Sequence, residues 1–392
     1  MSKKRVFDVI IIGGGVSGLA CANRLFEKNK DFLLITKHIG GRMITNIGKV
    51  NFGACYLRDD YKNILKYSKK GKELKISDAY FLDKEDLYGI KNLRLLKNIP
   101  QMTKLLLILN KFKKHLKKFQ ENLENKSVKQ ALDEDPYLLE LFKTPAKKFI
   151  KNNNLEDINE KYLEPVVKCT IYMDLKEINA LFYLEPLLPL VVKSYFSDFN
   201  YTLKNLIKNI KSKIKIGNIK KIRKKDNLFQ IDLLKQSFLG KNIVIAVPEK
   251  NLEKAYKVVK PKIQRPVYVF HIKGVRKKQF KNKIGIFKKS KNSDFCLLLK
   301  EFGQDILYTR NPRPDLKEFY KTIKKKIRFF WPIYLSAFLG LGLYIIFKFI
   351  IKRRNFILTS SIFIILLVSF SGIIKFPIIK QTDVQVIPSI PY

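Results

Sequence analysis

Near the start of the chain an apolar run breaks on three consecutive glycines, and no other feature narrows the possible fold so far. Val6-Phe7-Asp8-Val9-Ile10-Ile11-Ile12 has strand length, and Gly13-Gly14-Gly15-Val16-Ser17-Gly18 follows it. A helical pattern then carries Leu19, Ala20, Ala22, Asn23 and Leu25, and Phe32-Leu33-Leu34-Ile35 reads as a second strand. A continuously apolar strand suits a parallel sheet covered on both faces. Strand, turn, helix and strand within about 30 residues make a βαβ unit. The glycines satisfy GxGxxG in the context that gives the pattern meaning, after a strand and at the opening of a helix. Gly13 permits the tight turn, Gly15 lets the backbone N–H groups of the turn and of Val16 and Ser17 approach a pyrophosphate, and Gly18 lets helix and strand pack closely. The helix N-terminus adds partial positive charge toward the phosphates.

The end of the second strand leaves the identity of the dinucleotide open. Such sites place Asp or Glu there, to accept hydrogen bonds from the adenosine ribose. This chain has Thr36-Lys37. The Thr36 hydroxyl offers one such bond without a charge, and Lys37 suits a 2′-phosphate. The fingerprint alone therefore admits both FAD and NADP.

His38-Ile39-Gly40-Gly41-Arg42-Met43 follows, then Val50-Asn51-Phe52-Gly53-Ala54. With these segments the chain resembles the FAD-dependent amine oxidase superfamily, which holds flavin amine oxidases, protoporphyrinogen oxidases and phytoene desaturases. The resemblance implies that Arg42 faces the FAD diphosphate and that Gly40 and Gly41 allow close backbone approach. It puts Asn51, Phe52, Gly53 and Ala54 beside the isoalloxazine. More diffusely, Asn218-Ile219-Lys220-Lys221-Ile222 stands where the family has a strand whose main chain contacts adenine, at Ile219. Ile243 to Pro248 resembles the strand that returns to the FAD domain. The loop from Thr36 to Gly40 is shorter than the family's. Thr359-Ser360 would stand in for the family's closing Gly-Asp pair.

The expected fold is α/β: a Rossmann-like FAD-binding domain with an inserted helical and α+β substrate domain, and a C-terminal hydrophobic helical hairpin. Residues 1–75 and 196–260 form the two parts of the FAD domain. Residues 76–195 form a mainly helical substrate domain, residues 261–320 add its strands, and residues 321–380 hold two membrane helices. The helical expectation rests on Leu105 to Leu109, Phe112, Leu116 and Phe119 at three and four spacings. Lys113, Lys114, Lys117 and Lys118 beside them read as a solvated face, or as a patch for anionic lipid headgroups. The membrane expectation rests on Phe329–Phe347 and Phe356–Ile374, two runs of 19 uncharged residues, each close to the span of a ~30 Å hydrocarbon core. Lys321 to Arg328 supply a basic flank, and Trp331 and Tyr334 an aromatic belt. The second run overlaps the stretch that would carry the family's closing strand and helix, so it serves one purpose or the other.

Across 392 residues, 78 Lys and Arg stand against 34 Asp and Glu, a net charge of +44. That excess calls for an anionic partner such as a membrane surface or a phosphorylated ligand, or else reflects a lysine-coated exterior. No helix-turn-helix, RNP or zinc-finger pattern is present, so nucleic acid is not expected. Cys21, Cys55, Cys169 and Cys296 lack CxxC spacing, which excludes a zinc ribbon or disulfide scaffold and fits a reducing compartment. No metal site is expected. The apolar opening run ends in glycines rather than a cleavage site, so the FAD domain is expected on the cytoplasmic side of a membrane. The function these readings imply is hydride removal from a lipophilic or amine substrate. A non-catalytic flavoprotein-like fold at an anionic surface, or an NADP-dependent oxidoreductase, are the alternatives. No catalytic side chain or electron acceptor is singled out. His271 on an apolar strand reads as structural, and Cys55 reads as core packing rather than a covalent flavin anchor.

Overall fold

The computed structural model describes residues 5–43, 51, 53, 55–90, 97–123, 125–225, 227–247, 265–289 and 295–333. The first third holds β1 (Val6–Gly15), α1 (Val16–Glu27), β2 (Phe32–Gly40), β3 (Tyr56–Arg58), α2 (Lys62–Leu65), β4 (Lys70–Leu74), β5 (Ala79–Asp83) and β6 (Asp86–Gly89). A helical stretch follows: α3 (Ile99–Asn122), α4 (Val128–Asp133), α5 (Pro136–Lys143), α6 (Ala146–Asn152), α7 (Glu156–Ile158), α8 (Glu164–Ile171) and α9 (Ala180–Leu184). The remainder is β7 (Ser194–Ser197), α10 (Phe199–Ile207), β8 (Ile214–Ile216), β9 (Lys221–Lys225), β10 (Leu228–Asp232), β11 (Ser237–Ile245), β12 (Arg265–Arg276), β13 (Gly285–Lys289), β14 (Cys296–Glu301), β15 (Gln304–Thr309) and β16 (Tyr320–Ile333).

These strands form three sheets. The first has the order β8-β2-β1-β11-β10-β9. Its centre is parallel, with β1 between β2 and β11, and the β9–β10 hairpin closes one edge antiparallel. The unbroken apolar character of β1 follows from burial on both faces. Ile11 packs with α1 and α10, whereas Ile10 and Ile12 pack with Ile222 and Ile231 on the other side. Asn23 binds α1 to α10, its Nδ2 donating to the carbonyls of Leu19 (2.8 Å) and Leu206 (2.6 Å).

The second sheet, β16-β12-β15-β14-β13-β5-β6, belongs to the other half of the molecule. The helical stretch packs beside it through a core that joins Phe81 and Tyr88 to Leu105, Leu109, Phe112 and Tyr162. Proline punctuates these helices where its missing N–H does no harm: Pro136 and Pro165 sit in the first turns of α5 and α8. Lys113, Lys114, Lys117 and Lys118 are exposed on α3, as a solvated face requires. A small third sheet, β3-β7-β4, lies between these parts in the chain order.

Residues 79–89 add two strands of the large sheet to the mainly helical region. One sequence expectation changes here. Phe329–Ile333, expected to open the first membrane helix, lies in β16, which runs antiparallel along β12 with Phe329 opposite Val269 and Trp331 opposite Val267. The physical reason is the long edge of β12, whose N–H and C=O groups need a partner. Lys321, Lys324 and Lys326 are exposed strand residues rather than a membrane flank. Fourteen uncharged residues then remain of that run, 334–347, about 21 Å as a helix and short of the ~30 Å core. The rest of the expected hairpin, with Tyr334, Thr359-Ser360 and Phe356–Ile374, lies outside the described residues. Among the described residues no helix is long and apolar enough to cross a membrane.

Candidate functional site

The site is built from the end of β1, the start of α1 and the end of β2. Gly13 has φ +115, and a Cβ on it would lie 2.6 Å from Val247 and 2.7 Å from the Ala246 carbonyl at the end of β11. A Cβ on Gly18 would lie 1.9 Å from the Gly13 carbonyl. Both glycines are therefore demanded by the fold itself. Gly15 is different. Its φ of −75 and ψ of 177 are open to any residue, and a Cβ there would find nothing nearer than the Cα of Gly41 at 3.8 Å. Neither backbone geometry nor packing explains this glycine, whereas a ligand lying against the turn does.

The electrostatics agree with that assignment. α1 begins with no side-chain cap and no acidic residue in its first turn. The leading N–H groups, including those of Val16 and Ser17, thus lack a side-chain acceptor, and the helix end carries partial positive charge. Gly40 and Gly41 have φ +107 and +54, and a Cβ on Gly41 would come within 2.8 Å of Gly15 Cα. Two bare backbones thus cross at one point. Arg42 follows directly and is half-buried. Burial outweighs the opposing effect of Tyr61 and lowers its guanidinium to about 10, so it stays cationic at neutral pH. A Cβ on Gly53 would lie 2.5 Å from the Arg42 carbonyl, so the flavin-facing segment of the resemblance passes against this arginine.

Thr36 lies under the turn. It is buried, and its hydroxyl accepts from Gly14 N–H at 2.8 Å and donates to the His38 carbonyl at 2.7 Å. The bulge between Ile12 and Gly14 in the β1–β2 pairing brings Gly14 to this hydroxyl. Thr36 thus braces the turn from within, a contact the sequence alone did not show. Lys37 and His38 beyond it are exposed, and burial and the Lys37 charge keep His38 below its ordinary value. Ile219 is half-buried against the cluster that holds Ile10, Ile12 and Val247, on the face opposite α1. Phe52 and Ala54 lie outside the described residues.

Asn51 is fully buried and joins the small third sheet to the large second one. Its Nδ2 donates to the Ser197 carbonyl on β7 at 3.0 Å and to Glu301 Oε1 at the tip of β14. Its own carbonyl accepts from the Tyr308 hydroxyl of β15 at 3.3 Å. Burial pushes the carboxyl of Glu301 well above the usual carboxylate range. Nothing local in the sequence marks Glu301: β14 is buried on both faces, and Glu301 shares the face of Leu297 and Leu299. His271 Nε2 donates to Gln304 Oε1 at 3.0 Å across the β12–β15 pair, in keeping with a structural role. Cys55 packs against the cluster of Val267, Tyr308 and Tyr172, and burial raises its thiol, which suits packing rather than covalent chemistry. No group of metal-ligating side chains occurs among the described residues.

The residues fit a dinucleotide with a diphosphate on the turn. A family of NAD(P)-binding Rossmann-like domains matches residues 11–68. Amine oxidase [flavin-containing] A of Canis lupus familiaris is 37% identical over 71 residues, which is 17% of this chain and 14% of the relative. The chain thus matches about a seventh of that relative's length. Among solved structures, wild-type putrescine oxidase bound to putrescine aligns over 78% of this chain and 76% of its own, with TM-score 0.57 and 10% identity. The CLA-producing fatty acid isomerase from P. acnes aligns over 90% and 93%, with TM-score 0.60 and 15% identity. The fold is that of these proteins, and the resemblance of the sequence to the FAD-dependent amine oxidase superfamily holds, with FAD as the cofactor it implies.

Proposed function

We propose that this chain is an FAD-dependent oxidoreductase that removes a hydride from an amine or lipophilic substrate. The observation that carries the reading is Gly15, a glycine the fold does not need, set before an uncapped helix end. Bound FAD supplies the hydride acceptor, and the protein supplies binding, orientation and electrostatics. The N–H groups of the Gly13–Gly18 turn hold the diphosphate, and the half-buried Arg42 balances its charge. Asn51 would fix the segment beside the flavin to the large sheet.

Amine substrates are favoured by the amine oxidase relative and by the putrescine oxidase fold. A lipophilic substrate is favoured by the fatty acid isomerase fold and by the uncharged run Phe356–Ile374, which we read as a membrane attachment. Anaerobic mixing of the FAD-loaded protein with primary amines, a diamine and an unsaturated fatty acid tests the choice. Bleaching of the flavin by one class identifies it, and an unchanged spectrum with all of them contradicts the reading. Co-sedimentation of the full chain with vesicles tests the attachment.

A second reading is favoured by the end of β2, where no carboxylate follows the buried Thr36 and Lys37 is exposed. It makes the ligand a dinucleotide with a 2′-phosphate, and it predicts NADP binding without flavin absorbance.

A further inference from the structure

Glu301 is an acid in a place that does not admit a carboxylate. It is 0% exposed, as is its partner Asn51. It ends β14 just before the exposed Phe302–Gly303 turn, whose φ values of 45 and 78 close the hairpin to β15. Among the described residues the groups facing it are Asn51, Cys55 beyond that segment and Tyr308 from β15, with Tyr172 behind Tyr308. None of these is a cation, and burial raises Cys55, Tyr308 and Tyr172, so each stays neutral at pH 7. An isolated carboxylate in such surroundings neutralises rather than bearing the desolvation.

The hydrogen-bond inventory points the same way. Asn51 Nδ2 reaches Glu301 Oε1. Two buried acceptors, Glu301 Oε2 and Asn51 Oδ1, have no partner. They belong to the same two side chains. A proton on Oε2 turns one orphan acceptor into a donor, and a carboxylic acid can then pair with an amide through both of its oxygens.

We propose that Glu301 is a positioning residue kept as a neutral carboxylic acid, which pins Asn51 and thereby sets the segment beside the flavin. The inference rests on the reading of Asn51 to Ala54 as flavin-facing. Its protonation half stands without it.

The sign of the pH dependence follows from linkage. A carboxyl whose folded value is raised contributes its stability fully below its unfolded value, about 4.3. Above that, the folding equilibrium falls tenfold per pH unit until the folded group itself ionises. Glu301→Gln presents the same acceptor and a permanent donor, so it mimics the acid and removes this slope. Melting of the flavin-free full chain should therefore show wild type losing ground steadily to E301Q as pH rises from 5 through 8. Parallel profiles, or an E301Q chain that does not fold, overturn the proposal. An infrared carbonyl band of a protonated carboxyl, present in wild type at neutral pH and removed on alkalinisation, is the second readout; its absence also overturns the proposal.

In the FAD-loaded protein, the reduction potentials of wild type and E301Q should agree at pH 7. They should separate at alkaline pH, wild type becoming the harder to reduce as a negative charge appears behind Asn51. Equal potentials throughout, alongside divergent melts, refute the positioning half. Failure of both proteins to take up FAD refutes the flavin reading, and the melts still decide the proton.

Discussion

Replacing Gly15 by alanine separates what the fold needs from what a ligand needs. The new methyl would sit 3.8 Å from the nearest heavy atom, an ordinary contact, on a backbone with φ −75. Loss of unfolded-chain freedom stabilises by about 0.4–1 kcal/mol, and the poorer helix start costs a similar amount. The flavin-free melting temperature should therefore stay within about 2 °C of wild type. A diphosphate drawn onto the turn meets that methyl directly. Overpacking costs about 1–3 kcal/mol, so the FAD dissociation constant should rise about 5- to 150-fold. Gly18→Ala is the contrasting case. Its Cβ would lie 1.9 Å from the Gly13 carbonyl, and α1 would have to retreat by about 1 Å, a shift that close-packed interiors resist. That variant should lose stability and FAD together. Fluorescence titration with FAD, alongside flavin-free melts, reads both quantities. If G15A bound FAD as tightly as wild type, the turn would not be the diphosphate cradle.

Other variants probe the remaining parts of the site. Arg42→Met should weaken FAD by about 1.5–3 kcal/mol, the worth of a hydrogen bond to a charged group; an unchanged titration would mean that this guanidinium does not serve the diphosphate. Thr36→Val strands the buried Gly14 N–H and should cost about 1–3 kcal/mol in urea denaturation, while a neutral result would show that the brace is dispensable. Arg58 is buried and paired with Asp60 and Glu185 at 2.9 Å each. Arg58→Met leaves Glu185 without its counter-charge and should destabilise by about 3–5 kcal/mol in the same assay. A loss below 1 kcal/mol would mean that water reaches the pair.

The βαβ unit was legible because its apolar period and its glycines agree with each other and with the helix start. Roles that depend on tertiary register were not. The brace of the turn by Thr36 is one, because only a bulge in the β1–β2 pairing brings Gly14 to its hydroxyl. Phe329–Ile333 looked helical because a short uncharged run has no period that separates strand from helix, and the open edge of β12 decided the matter. Glu301 meets Asn51 across 250 positions of sequence, a distance that no local pattern bridges.

The visible absorption spectrum of the purified full chain, before and after incubation with FAD, tests the central claim most directly. The account predicts a yellow protein holding one flavin per chain, displaced in G15A. A colourless protein that takes up no FAD would contradict it.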